Sequence, residues 1–150
     1  MNVSLTKNEI YTAAMVGVKR RIVSYSFDKT NKFINPEVWW DMDIEGACAE
    51  MAVAKALNIY WDYSINTFSA PDVGLFQVRH TKISYGKLIV RPQDSDSETF
   101  ILIVGSSPDF EIIGYMTGKE AKQDKYLSDP HGKAPCWMVP QGDLTPSFML

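Results

Sequence analysis

The spacing of hydrophobic and polar positions is helical in two stretches of the first 60 or so residues and strand-like afterwards. Residues 29–42, between the two helical stretches, are predicted to form a loop with aromatic anchors. Thr6 to Glu9 matches a capping box, in which Thr6 accepts a hydrogen bond from the Glu9 amide and Glu9 reaches back. The pattern predicts a first helix over about residues 6–25. A second helix is predicted from near Asp43 across IEGACAEMAVAKALN, and its apolar side chains point nearly all round, which is typical of a buried helix.

The rest of the chain predicts strands and one short polar helix at 118–127. The segment TFILIVG, residues 99–105, is continuously apolar and β-branched, which favours a central strand covered on both faces. The apolar end of the C-terminal tail is expected to pack back on the body. The other predicted strands are SINTF (64–68), GLFQVRHT (74–81), KLIVRP (87–92), FEIIGYM (110–116) and APCWMVP (134–140). Helices followed by strands predict a mixed α/β (α+β) fold, and 150 residues favour one domain, 1–150.

Composition and charge limit the classes of protein to which this chain can belong. The chain is 45% hydrophobic and 22% charged, as expected for a soluble globular protein. With a net charge of −3, any binding of nucleic acid must be local rather than through bulk charge. Cys48 and Cys136 lack zinc-ligand spacing, so reduced thiols in a cytoplasmic protein are expected. There is no signal-peptide pattern and no apolar run of about 18 residues, so no membrane span is expected.

The stretch PDVGLFQVR, residues 71–79, sets an acid on a turn before a strand. Glu50 lies in an apolar sector of the second predicted helix, where a carboxylate is costly unless it is paired or bound to a cation. Together Glu50, Asp72 and Gln77 can form an oxygen-lined site of the kind that Mg²⁺ or Mn²⁺ prefers, with Arg79 beside it. The residues leave two alternatives open: a strand with one solvated face, and a structural ion pair of Glu50, for which Arg79 is one candidate partner.

This order of an acidic helix, then Pro71-Asp72, then Gln77-Val78-Arg79 resembles the PD-(D/E)XK nuclease superfamily, and the whole chain is similar to small phage-encoded nuclease-like proteins. The resemblance covers roughly residues 40–142. It implies a restriction-endonuclease-like core, with a mixed central sheet flanked by helices. It also implies a Mg²⁺- or Mn²⁺-dependent endo- or exodeoxyribonuclease in the cytoplasm of a host cell.

Carried over residue by residue, the resemblance implies that Glu50 and Asp72 are metal ligands, joined by the Gln77 amide oxygen and the Val78 carbonyl. Arg79 stands where the family has lysine. Arginine does not lose its proton in a protein, so Arg79 cannot be a general base, although it can hold a phosphate. Glutamine in place of glutamate removes one negative charge and weakens metal affinity.

The resemblance also implies nucleic-acid contacts. Thr81 and Lys82 are expected to touch a phosphate, and the cluster Lys19-Arg20-Arg21 to touch the DNA backbone. A solvated helix end is the alternative for that cluster. The departures at Gln77 and Arg79 leave open a nuclease fold without catalysis that binds nucleic acid or a partner protein, as well as a plain α/β domain. A homodimer is also left open.

Three further groups have structural interpretations as their first expectation. His80 and His131 are expected to be hydrogen-bonded structural histidines, because neither has ligand spacing. The acidic cluster Asp94, Asp96 and Glu98 is interpreted as a solvated loop. Trp39-Trp40 is expected to pack in the core or a lid, with stacking on bases as the alternative.

Overall fold

The structure is a computed structural model that describes residues 1–26, 38–65, 70–129, 132 and 134–150. The described helices are α1 (Lys7–Ser26), α2 (Trp39–Leu57) and the short α3 (Gly118–Ala121). The described strands are β1 (Asn2–Ser4), β2 (Phe76–Thr81), β3 (Leu88–Val90), β4 (Thr99–Ser106), β5 (Asp109–Thr117), β6 (Leu127–Ser128), β7 (Cys136–Val139) and β8 (Thr145–Pro146). These elements confirm the predicted mixed α+β class.

The central sheet has the order β1-β5-β4-β2, with β8 paired to β5. Strand β4 pairs in parallel with β2 and antiparallel with β5, so the apolar run at 99–105 occupies an interior strand as predicted. Strand β2, which carries the QVR triplet, lies at the end of this order. One side of β2 is therefore an open sheet edge among the described strands, with unpaired backbone groups that side chains or ligands can reach.

Alternate residues of β4 pack into two separate cores on opposite faces of the sheet. Ile101 and Ile103 belong to a cluster with α2, which includes Val53. Phe100 and Leu102 belong to a second cluster, which reaches Leu88 and Val139 of a small sheet ordered β3-β7-β6. The described residues therefore form three layers, and we refer below to the helix face and the small-sheet face of the central sheet.

The first helix confirms the capping box. The Thr6 amide donates to Glu9 Oε2 at 2.6 Å, and the Glu9 amide donates to Thr6 Oγ1 at 3.3 Å. The helix continues to Ser26 and has no basic residue in its last turn, so the basic cluster at 19–21 lies before the helix end.

The second helix begins earlier than predicted, at Trp39 rather than near Asp43. Trp39 is buried, and the Arg21 guanidinium lies 4.9 Å from its ring centroid, so packing against α1 supports a helical first turn that the hydrophobic pattern did not reveal. The prediction of a loop at 29–42 was therefore wrong for 39–42. The segment 27–37 lies outside the described residues.

The strands match the predictions, with shifts at their ends, except at SINTF. Ser64 and Ile65 are not in a strand, and 66–69 lie outside the described residues. Strands β1, β6 and β8 were not predicted, because two or three residues are too short to show alternation. The short helix predicted at 118–127 ends at Ala121, and Leu127 begins β6 instead. In the tail, Leu144 is buried and Leu150 packs on the helix-face core, but Phe148 and Met149 are exposed, so the expected packing is only partial.

None of the helices in the described ranges is both long enough and apolar enough to cross a membrane. Cys48 and Cys136 are free thiols, as expected, and burial raises the pKa of Cys48 to about 11.

Candidate functional site

Glu50 forms a buried ion pair on the helix face. Arg20 donates from Nη1 to Glu50 Oε1 at 2.6 Å and from Nη2 to Oε2 at 2.8 Å, and Trp61 Nε1 donates to Oε2 at 3.0 Å. Burial raises the pKa of Glu50, with the nearby Asp72 charge acting in the same direction and the Arg20 and Trp61 hydrogen bonds opposing it. The ion-pair alternative for Glu50 thus holds, but its partner is Arg20 and not Arg79.

The basic cluster at 19–21 divides between surface and interior. Arg20 also donates to the Ser64 carbonyl, from Nε at 3.0 Å and from Nη2 at 2.8 Å. Arg21 is buried and donates to Asp43 at 2.5 Å. Of the three cations only Lys19 is exposed, so a solvated helix end does not describe this cluster. Contact between the cluster and DNA stays a prediction, and two of its three members already have internal partners.

A tight turn brings Asp72 beside β2. The Asp72 amide donates to the Phe76 carbonyl at 3.0 Å, and Gly74 in the turn has a φ of 59°, a left-handed conformation that favours glycine. The Val78 amide then donates to Asp72 Oδ2 at 2.8 Å. Because Val78 directs its N–H away from β4, the Asp72 carboxylate lies along the open edge of the sheet. The turn thus holds Asp72 against Val78, the residue that follows Gln77 in β2.

Asp72 lies within electrostatic reach of acids on both sides. Burial raises the pKa of Asp72, and the Glu98 charge adds to that rise. The Val78 hydrogen bond and the Arg79 and Arg20 charges oppose it. Asp72 in turn raises the pKa of Glu50. The carboxylate at 72 thus lies within electrostatic reach of Glu50 and Glu98 and of the two arginines.

Glu98 belongs to this site although the sequence assigned it to a solvated loop. Its Oε1 accepts from Gln77 Nε2 at 2.9 Å, and its Oε2 accepts from the Ser95 amide at 3.1 Å. It directly precedes β4, whose Thr99 is in register with Phe76 of the parallel strand β2. That parallel pairing places Glu98 beside the start of β2. The sequence could not predict this position, because it does not show that β2 and β4 are neighbours.

Gln77 and Arg79 lie on the small-sheet face, opposite to Glu50. They are in register with Phe100 and Leu102 of the small-sheet core. Arg79 stacks 4.9 Å from the Phe100 ring centroid and donates from Nη2 to Asp94 Oδ2 at 3.0 Å. Asp94 is therefore half-buried and paired, so the solvated-loop interpretation was wrong for this residue as well.

The atoms at the sheet edge fit a hard cation in part. Neither Asp72 Oδ1 nor Gln77 Oε1 accepts a hydrogen bond from any residue that the structure describes. The Val78 carbonyl points to the same edge, because the N–H and C=O of one strand residue face the same neighbour. Both Glu50 oxygens are bonded to Arg20. Within the described ranges, no group of three or more His, Cys, Asp or Glu side chains is close enough to hold a metal ion. A cation here would depend on Asp72, the Gln77 amide and the Val78 carbonyl.

The remaining candidates lie away from Asp72. Thr81 and Lys82 are at the far end of β2, where Lys82 Nζ pairs with Asp41 at 2.7 Å. His80 Nε2 lies 2.9 Å from the Gly105 carbonyl oxygen, in agreement with a structural role. Trp40 is partly exposed and meets Tyr25 edge-on. His131 lies outside the described residues.

Comparison of the chain with protein-family models, with curated proteins and with solved structures finds no match. The similarity to PD-(D/E)XK nucleases therefore rests on the residues of this chain alone.

Proposed function

We propose that this protein is a divalent-cation-dependent nuclease that hydrolyses DNA phosphodiester bonds, built on a restriction-endonuclease-like core. The observation that carries the proposal is the placement of Asp72 at the open edge of β2. There its Oδ1 lacks a hydrogen bond from the described residues, and acids lie on both sides. A buried carboxylate of this kind gains from a bound cation, because burial disfavours its charged form and the Glu98 charge adds to that effect.

In this proposal Asp72, the Gln77 amide oxygen and the Val78 carbonyl hold Mg²⁺ or Mn²⁺. When bound, the cation supplies stabilisation of negative charge on a phosphoryl group. Glu98 accepts from the Gln77 amide nitrogen and so directs the amide oxygen away from itself. Ligation by Glu50 requires its carboxylate to leave Arg20 and stays a prediction.

Arg79 has an electrostatic role here. Its pairing with Asp94 and stacking on Phe100 hold the guanidinium in one place. Arginine side chains are permanent cations in proteins, so this guanidinium can hold a phosphate oxygen but cannot accept the proton of the attacking water. The free thiols Cys48 and Cys136 support a reducing compartment, such as the cytoplasm of a host cell.

Cleavage of single- and double-stranded DNA with Mg²⁺ or Mn²⁺ tests the proposal, with Asp72→Ala beside the wild type. We expect metal-dependent cleavage by the wild type and none above background by Asp72→Ala. Asp124→Ala is a matched control, since it removes an exposed acid from a 3₁₀ turn elsewhere in the chain, and it should cleave normally. Equal cleavage by wild type and Asp72→Ala, or none by pure wild type, contradicts the proposal.

A second function is favoured by the Arg20–Glu50 pair. A guanidinium already neutralises the acid that the resemblance assigns to the metal. Such an arrangement suits a nuclease fold that binds nucleic acid or a partner protein without catalysis. DNA binding that needs no metal, together with no cleavage under any metal, would identify this second function.

A further inference from the structure

A cleft opens on the small-sheet face, next to the candidate site. Its volume is about 400 Å³. One wall is the second half of β2, which contributes Arg79 and Thr81, and the other is the loop that follows, with Tyr85 and Lys87. The cleft therefore begins where the Asp72 site ends, and Arg79 belongs to both.

The cleft carries a local excess of positive charge in a protein whose net charge is −3. Arg79, Lys87 and Arg91 line it, and none of its described lining residues is acidic. Asp94 neutralises Arg79. Lys87 and Arg91 are exposed, and neither has a side-chain ion pair or hydrogen bond within the described part of the chain. Two cations are thus available for an anionic ligand.

The floor of the cleft is apolar and one wall presents an aromatic ring. Ile89, Leu102 and Met138 come from the two sheets and form apolar surface. Tyr85 is 83% exposed, although its loop is fixed. Gln141 Nε2 donates to the Ser84 carbonyl at 2.8 Å and to the Gly86 carbonyl at 3.0 Å. An exposed ring on a held loop has no partner to pack on in the described protein, so it is placed for a ligand.

From cations beside an apolar floor and an exposed ring, we infer that this cleft binds single-stranded DNA. Phosphates contact Lys87 and Arg91, and an unpaired base lies against Tyr85 and the apolar floor. Proteins that hold single strands combine a basic groove with aromatic stacking surfaces in this way. A duplex does not fit the same chemistry, because its base faces are already stacked. The inference rests on the proposed function in that it names the form of its substrate.

Fluorescence anisotropy with a labelled 20-nucleotide oligo(dT) in EDTA tests the cleft, because chelation removes cleavage. We expect Lys87→Ala/Arg91→Ala to bind at least about tenfold more weakly, with a salt slope smaller by about 1.4, since each single-strand phosphate contact contributes about 0.7. Tyr85→Ala should bind at least about fivefold more weakly, the lower end of the effect of losing one stacked base.

Matched controls separate the cleft from general charge. Lys7→Ala/Lys119→Ala removes two exposed lysines elsewhere, and Tyr60→Ala removes a tyrosine that is 76% exposed in another segment. Both should bind like the wild type. All variants are at exposed positions, and an unchanged thermal unfolding midpoint confirms their fold.

Three results would each overturn the inference. The cleft variants bind oligo(dT) like the controls, the wild type binds a 20-base-pair duplex equally or more tightly, or the wild type does not bind oligo(dT). Its failure differs from that of the proposed function. If the cleft binds DNA but no cleavage occurs in Mg²⁺ or Mn²⁺, the nuclease proposal fails and the inference about the cleft stands. If cleavage depends on Asp72 but not on Tyr85, Lys87 or Arg91, the inference about the cleft fails and the nuclease proposal stands.

Discussion

The two faces of the central sheet both carry arginines, but those arginines have different surroundings. On the helix face, Arg20 and Glu50 form a bidentate pair whose side chains are only 16% and 9% exposed. On the small-sheet face, Arg79 is paired with Asp94, but Lys87 and Arg91 nearby are exposed and lack ion pairs among the described residues. Matched buried charge holds a structure in place, whereas unmatched exposed charge beside a cleft is available to a ligand.

The open edge of β2 joins these two faces. Asp72 lies there and is influenced by Arg20 on one side and by Arg79 and Glu98 on the other. In our proposal the helix face provides stability, the small-sheet face binds a ligand and the edge between them carries the chemistry. Each assignment can be tested by a variant on its own side.

The largest effect is expected from Arg20→Met, which leaves the buried Glu50 carboxylate with Trp61 as its remaining hydrogen-bond donor. We expect the free energy of unfolding to fall by about 3–5 kcal/mol, because an uncompensated buried charge is costly. Urea denaturation at pH 7 measures it. The double variant Arg20→Met/Glu50→Leu should recover much of the loss. If the losses of unfolding free energy measured for Arg20→Met and for Glu50→Leu alone add up to the loss of the double variant, the two residues do not form a structural pair.

The sequence predicted part of this comparison. The apolar sector around Glu50 showed that its charge needed a partner. It did not reveal that the partner is Arg20, because that contact joins two helices 30 residues apart and depends on their packing. It placed Glu98 in a solvated loop, since only the parallel pairing of β2 with β4 brings that residue to the site.

The α+β class and the interior position of β4 could be predicted because a continuous β-branched run has few other uses. The cleft could not be predicted from the sequence. Its residues come from strands of both sheets and from a loop, and Tyr85 has no periodic pattern that marks it as an exposed ring on a held turn.

An intermediate effect is expected at the sheet edge, from Asp72→Asn studied as a function of pH. Burial raises the pKa of Asp72, so the folded protein binds a proton more tightly than the unfolded chain. Wild-type stability should therefore fall as pH rises from the unfolded value of about 3.9 through the raised folded value. The asparagine of the variant does not titrate and can still accept from the Val78 amide.

The Asp72→Asn variant should accordingly gain stability relative to wild type between about pH 4 and pH 7, by about 1.4 kcal/mol for each unit by which the pKa is raised. Urea denaturation in EDTA at several pH values measures the difference. A difference that stays constant over this range would show that Asp72 is not held in a charge-disfavouring environment.

The smallest effect is expected from Lys82→Ala, which removes an ion pair with Asp41 whose side chains are 47% and 54% exposed. The loss in unfolding free energy should be about 0–1 kcal/mol and should vanish in high salt. Thermal unfolding with and without added NaCl measures it. If Lys82→Ala lowers the unfolding free energy as much as Arg20→Met does, burial does not explain the difference between the exposed pair and the buried pair.

Calorimetric titration with Mn²⁺ tests the central claim, that the edge around Asp72 is a divalent-cation site. We expect the wild type and the control Asp124→Asn to bind one Mn²⁺ per chain, and Asp72→Asn to bind at least about tenfold more weakly, since the loss of even an outer-shell partner weakens metal affinity by about 10–100-fold. Equal binding by wild type and Asp72→Asn, or no binding by the wild type, would contradict the account.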